Sequence, residues 1–196
     1  MSKISLEQLK QLREQSGISM LECKKALEEG GGDLEKAKKI LREKGKEMIK
    51  GKEGRSAAQG LVAAYVHPGD KLGVLLELFC ETDFVAKSTD FKKLAHELCL
   101  QIAAAKPLFV RPEEIPAEFL DGERKIYEKQ FENSGKPEKI IASIIEGKLD
   151  KYKKEISLIS QVWIKDSTKT IKDLLDEYTV KLGEKIEIGK FVRFEI

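Results

Sequence analysis

Leu61-Val62-Ala63-Ala64-Tyr65-Val66-His67 and Leu72-Gly73-Val74-Leu75-Leu76-Glu77-Leu78-Phe79-Cys80 face one another across Pro68-Gly69-Asp70. Two apolar runs of strand length on either side of a turn-forming triplet predict an antiparallel β-hairpin, and the second run is apolar enough to be buried. Just beyond it, Ser88 or Asp90 can cap a helix whose apolar positions Phe91, Leu94, Ala95, Leu98, Ile102 and Ala105 keep helical spacing until Pro107 stops it. That helix is expected to pack on the hairpin.

Further along, helical spacing predicts helices over 113–131 and 137–154, the second with Ile140, Ile141, Ile144 and Ile145 on one side. A strand is expected over 157–165, a helix over 171–182 and a final strand over 186–196. Strands and helices intermix without a regular βαβ repeat, so the fold class is α+β with an antiparallel sheet.

Upstream of the hairpin the first 45 residues read as three short helices with their ends written in local chemistry. Ser5 and Gln8 can form a capping box, with Ile4 stapled onto Leu9 and an apolar stripe of Leu6, Leu9 and Leu12. Gly17 supplies a left-handed stop, and Ser19 with Glu22 forms a second box opening a helix that runs to Gly30. Asp33 caps a third helix, with Leu34, Ala37, Ile40 and Leu41 on one face and an end near Gly45. The division expected is a three-helix module at 1–45, a basic flexible linker at 46–59 and an α+β core at 60–196.

The 196 residues are 41% hydrophobic and 36% charged, a folded and heavily solvated balance. The 36 basic and 34 acidic side chains nearly cancel to +2, so no overall field draws the chain to nucleic acid or membrane. Cys23, Cys80 and Cys99 are odd in number, widely spaced and without a CxxC pair, which argues against a disulfide framework or structural zinc. Each sits in an apolar pattern and is expected to be structural. With charges near the N-terminus and no run of about 20 apolar residues, a cytoplasmic protein is expected.

Conventional catalytic motifs are absent. His67 and His96 lack a second histidine at i+3 or i+4, and read as a turn residue and a solvent-facing helix residue. The glycine run 30–32 follows a helix and precedes no phosphate-binding lysine, so it is a helix-to-helix turn, and no cofactor is expected. A cysteine-dependent hydrolase or transferase ranks last, because no histidine is patterned to activate a thiol. The basic stretch 36–55 reads as a solvated face; the alternative, an RNA-binding accessory protein, lacks interleaved aromatics to stack on bases.

The segment Glu81-Thr82-Asp83-Phe84-Val85, between a buried strand and a helix start, resists a bland account. Phe84 either folds back onto the hairpin while Asp83 caps the helix entry, or stands out as an aromatic wedge on a rigid corner beside an acidic residue.

Leu12-Arg13-Glu14, Ser16-Gly17 and Met20-Leu21-Glu22-Cys23-Lys24-Lys25-Ala26-Leu27 resemble the N-terminal signature of the elongation factor Ts family, and Cys80-Glu81-Thr82-Asp83-Phe84-Val85-Ala86-Lys87 resembles its second signature. The similarity continues through Ile102-Ala103-Ala104, Gly135-Lys136-Pro137, Glu146-Gly147-Lys148-Leu149 and Phe191-Val192-Arg193-Phe194-Glu195. Phe79, Ile18-Ser19 and Val162-Trp163 depart from the family's usual residues. The resemblance, to the short form with one core subdomain, implies a ubiquitin-associated-like first domain and a core dimerisation domain. It also implies a guanine nucleotide exchange factor, without covalent chemistry, that binds elongation factor Tu and promotes GDP release. By the same likeness Thr82, Asp83, Phe84 and Val85 disturb the partner's Mg²⁺ site, Arg13, Met20 and Leu21 dock, and a homodimer forms a two-to-two complex. The charge balance and the lack of an apolar span lead to the expectation of no membrane and no direct nucleic-acid contact.

Overall fold

A computed structural model describes residues 4–132, 135 and 137–196, so Lys136 of the Gly135-Lys136-Pro137 motif lies outside the described residues, as do residues 1–3. The chain forms two compact units: Met1–Leu61, Leu78–Leu94 and Leu175–Glu187 make one, and Val62–Glu77, Ala95–Leu174 and Ile188–Ile196 the other.

In the first unit, α1 (Leu6–Ser16) opens with the expected box: Ser5 Oγ accepts from Gln8 N–H at 3.1 Å and the Gln8 side chain accepts from Ser5 N–H at 3.1 Å. Gly17, at φ 67°, closes the helix by donating its N–H to Arg13 O. α2 (Met20–Glu29) has half of its expected box: Ser19 accepts from Glu22 N–H, but the Glu22 carboxylate takes the Lys25 ammonium at 3.0 Å. An i+3 cation competes with the cap's backbone N–H and holds the carboxylate.

α3 (Leu34–Lys50) is capped by Asp33, which accepts from the N–H groups of Glu35 and Lys36. The helix runs on past Gly45, where the sequence reading stopped it, into the expected linker. Gly45 is buried, and a Cβ there would lie 3.3 Å from the Val180 side chain, so close packing, not chain reversal, is the reason for this glycine. Leu12, Cys23, Ala26, Leu27, Ala37 and Leu41 form the module's core, with Ile4, Leu9, Ile18, Leu34 and Ile40 packed against it. Leu6 is exposed and does not join the stripe.

β1 (Gln59–Val66) and β2 (Leu72–Cys80) form the hairpin, closed by His67 N–H to Leu72 O at 2.9 Å and Asp70 N–H to His67 O at 3.0 Å. The short helix α4 (Asp83–Lys87) was not read from the sequence, which treated 81–85 as a connector. α5 (Thr89–Ala105) follows, with Ser88 Oγ accepting from Phe91 N–H at 3.2 Å. Asp90, the other candidate cap, binds the Lys181 ammonium at 2.6 Å. Phe91, Leu94, Leu98 and Ile102 of α5 are fully buried.

In the second unit α6 (Ala117–Phe131) packs on α7 (Glu138–Ile156), with Phe119 stacked on Tyr152 and edge-on to Phe109. Residues 157–165 do not make the single strand expected. Leu158–Ser160 is a 3-10 turn, and β3 (Val162–Trp163) pairs antiparallel with β4 (Asp166–Thr170). The buried Gln161 bends the chain by donating its side-chain N–H to Glu155 O at 2.7 Å and Ala105 O at 3.2 Å. A buried amide seeks such partners at the expense of a straight strand.

α8 (Ile171–Leu182) and β5 (Glu187–Glu195) complete the chain. The main sheet has order β1-β2-β5, so β5 pairs with β2, with Ile196 N–H donating to Lys71 O. The α+β class with an antiparallel sheet holds.

Candidate functional site

The corner grows out of the end of β2. Cys80 is fully buried and donates its thiol to Thr82 O at 3.1 Å; burial pushes that thiol up from its ordinary value. Thr82 is extended (φ −125°, ψ 155°), and its Oγ1 accepts from Val85 N–H at 3.4 Å, which makes Thr82 the N-cap of α4. Asp83 therefore does not cap. Its carboxylate binds the Lys87 ammonium at 2.6 Å one turn on, and that hydrogen bond is the main reason its pKa lies below the usual carboxylate value.

Ala86 anchors α4 as its one buried residue and Val85 is half-buried. Phe84, in the first turn, is 82% exposed. The fold-back alternative is thus not what the chain adopts. A phenylalanine left in water on a capped helical turn gains nothing for the fold and is available to a partner.

Two carboxylates lock this corner to the chain after α8. Glu184 Oε2 accepts the N–H groups of Glu81 and Thr82 at 3.0 Å each, and its Oε1 accepts the Thr82 hydroxyl at 2.6 Å. In return Glu81 accepts Lys185 N–H at 2.7 Å and Arg55 Nη1 at 3.2 Å. The Lys185 N–H bond, then Arg55, holds the Glu81 carboxyl below its ordinary value. Lys185 Nζ closes the ring on Arg55 O at 2.9 Å. Arg55 and Lys52, read as solvated charges of a flexible linker, are both engaged: Lys52 is buried and its ammonium donates to Gly183 O.

Of the other candidate residues, Arg13 is exposed near the end of α1, Met20 is half-buried at the start of α2, and Leu21 beside it is 61% exposed. These three and Thr82–Val85 fall in the same compact unit. The sequence reading missed Glu184 and Lys185. The only local sign was their place after Gly183, a left-handed stop at φ 73°.

All three cysteines are free and buried, with burial raising the Cys99 thiol to about 11. His67 and His96 are exposed, flanking Tyr65, whose hydroxyl lies 2.7 Å from His67 Nδ1. Among the described residues no group of three or more His, Cys, Asp and Glu is arranged to hold a metal, and no helix is long and apolar enough to cross a membrane.

A family model described as "Elongation factor TS" matches residues 6–196. The chain is 50% identical over 196 residues to "Elongation factor Ts" of Desulforamulus reducens, covering 100% of this chain and 90% of that protein. It is 52% identical over 201 residues to the protein of the same name in Frankia casuarinae, covering 100% and 98%. With the one from Thermotoga petrophila it shares 50% identity over 194 residues, covering 99% and 96%.

Proposed function

Because this chain belongs to the elongation factor Ts family of translation elongation factors, we propose that it binds elongation factor Tu in its GDP form and promotes GDP release so that GTP can bind. No bond is made or broken in such an exchange. The factor has only to bind the nucleotide-free GTPase more tightly than the GDP-bound one, by about 1.4 kcal/mol for each tenfold loosening of GDP.

The observation that carries this reading is the exposure of Phe84 on a corner with little freedom of its own. Inserted between elements of the GTPase, the ring offers about 2 to 3 kcal/mol of burial towards distorting the partner. The partner's Mg²⁺ demands near-octahedral geometry and keeps several waters, so a small displacement weakens the anchor on the GDP phosphates. Thr82 caps the turn by accepting Val85 N–H, Asp83 clamps it through Lys87, and Val85, next in the chain to the exposed Phe84, is half-buried.

In this reading the three helices α1 to α3, the last reaching Lys50, are a ubiquitin-associated-like docking module that touches the GTPase through Arg13, Met20 and Leu21, while the core at 60–196 carries the exchange corner. Exposed apolar residues of the three sheet strands, Val62, Val66, Leu75, Val192 and Phe194, support a homodimer, and hence a two-to-two complex in the cytoplasm.

The test is release of a fluorescent GDP analogue from elongation factor Tu, with wild type and Phe84→Ala. The wild type is expected to accelerate release strongly, and Phe84→Ala to lower the maximal rate with a smaller loss of affinity. A wild type without effect on release would remove the proposal.

A further inference from the structure

One of the two carboxylates that lock the exchange corner, Glu184, lies outside both family signatures. Glu184 makes three hydrogen bonds, to Glu81 N–H, Thr82 N–H and Thr82 Oγ1–H, and these are the groups that lead the chain from β2 into α4. The two backbone N–H groups precede the helix and have no part in its own hydrogen-bond ladder. The Thr82 hydroxyl has one proton, and it points that proton at Glu184 while its oxygen accepts Val85 N–H to cap the turn.

One carboxylate thus orients the cap, and the cap orients the residue two places on, Phe84. Glu184 is itself fixed. It follows Gly183, whose N–H bonds to Thr179 O and whose carbonyl accepts Lys52, and it precedes Lys185, whose N–H bonds to Glu81. Each of the two segments therefore places a glutamate on the other's backbone. Charge-assisted bonds of this kind are roughly twice as strong as neutral ones.

Resting on the reading of Phe84 as the exchange wedge, we propose that Glu184 is a positioning residue for nucleotide exchange. It acts through Thr82 to hold Phe84 at the angle that enters the GTPase. Glu184 touches neither nucleotide nor metal. A wedge that works by differential contact must arrive in one orientation, because the contact it makes only with the distorted GTPase is the coupling, and couplings of this kind span about 5- to 150-fold.

The experiment is steady-state exchange on elongation factor Tu·GDP, with kcat and KM for that complex measured separately, for wild type, Phe84→Ala, Glu184→Ala, Glu184→Gln and the double variant Phe84→Ala/Glu184→Ala. Glu184→Ala is expected to lower kcat about ten- to a hundredfold, within the range of a lost coupling between sites, with KM within about twofold of wild type. Glu184→Gln is expected to recover most of kcat, since its amide oxygen still accepts the two N–H groups. The double variant is expected to be no slower than Phe84→Ala alone, because a residue that acts through Phe84 has nothing left to act on.

Wild-type kcat in Glu184→Ala, a loss confined to KM, or losses that multiply in the double variant would each overturn the proposal. If Glu184→Ala melts below the assay temperature, Thr82→Val carries the test, since it removes the hydroxyl arm of the lock. It must lower kcat at unchanged KM while Thr82→Ser does not, and wild-type kcat in Thr82→Val overturns the proposal. The two readings fail differently. Wild-type exchange by Phe84→Ala sinks the wedge and this inference with it, whereas a slow Phe84→Ala beside a fast Glu184→Ala sinks this inference alone.

Discussion

The ammonium of Lys52, 7% exposed, donates to the carbonyl of Gly183, the left-handed residue that ends α8. A cation at a helix C-terminus meets carbonyls left without intrahelical partners, so the bond gains from the helix dipole as well as from its own geometry. Lys52→Met keeps the apolar stem and removes the donor. The expected loss is about 1.5 to 3 kcal/mol of stability, read as a lower urea midpoint with unchanged slope.

Gly60 lies against the backbone of β2. A Cβ at this position would stand 2.9 Å from Phe79 Cα and closer still to the Leu78 carbonyl oxygen, and neither can swing away as a flexible side chain would. Gly60→Ala is expected to cost about 1 to 3 kcal/mol. Gly73→Ala, where the nearest atom to a new Cβ is Tyr65 O at 4.0 Å, is expected to stay within about 0.5 kcal/mol of wild type. Equal melting points for the two variants would refute this account of the hairpin.

Leu21→Ala and Arg13→Ala separate docking from folding. Leu21 is largely exposed and Arg13 lies on the surface, so each truncation should leave stability within about 0.5 kcal/mol. Under the proposed docking role, calorimetric titration with elongation factor Tu should show affinity weakened by about 1 to 2 kcal/mol in each, with exchange at saturation retained. Unchanged affinity in both would move the docking surface elsewhere.

Phe194, 69% exposed on β5, tests the proposed dimer. An aspartate there would bury a charge in any apolar interface formed by the sheet. Sedimentation at micromolar concentration is expected to give a dimer for wild type and a monomer for Phe194→Asp. A wild type that sediments only as monomer would remove the dimer from the scheme.

Glu195, exposed at the end of β5, supplies a pH signature. Arg193 first, then Lys106, each at 2.8 Å, hold its carboxyl down at about 2 against an ordinary value of 4.5. Because the folded value is the lower one, the stabilisation is present in full above about pH 4.5 and is lost as pH falls through about 2. An NMR titration should place the Glu195 carboxyl near 2, with Arg193→Met moving it upward. A value near 4.5 in wild type would show that the ion pairs do not persist in solution.

Features decided within one turn of chain were legible. Ser5 with Gln8, Gly17, Ser19 and Asp33 mark helix ends because a cap and its backbone partner lie two to four residues apart. The hairpin was legible for the same reason, with its turn between two apolar runs. Where the local signal misled, a distant partner was responsible. Gly45 looked like a stop but makes room for Val180, Gln161 looked like part of a strand but bends the chain towards Ala105, and Asp90 looked like a cap but serves Lys181.

The sequence by itself determined the α+β class, the three capped helices, the hairpin and the chemical oddity of Phe84 between a strand and a helix, since these follow from residue type and near-neighbour spacing. Only the tertiary structure decided that Phe84 stands out in solvent, that Lys52 is buried while Arg55, still exposed, pairs with Glu81, and that Glu184 locks onto Glu81 and Thr82 from 103 and 102 residues away. A hydrogen bond across that distance leaves no periodicity in the chain, because its partners are chosen by how the backbone returns and not by what stands beside them.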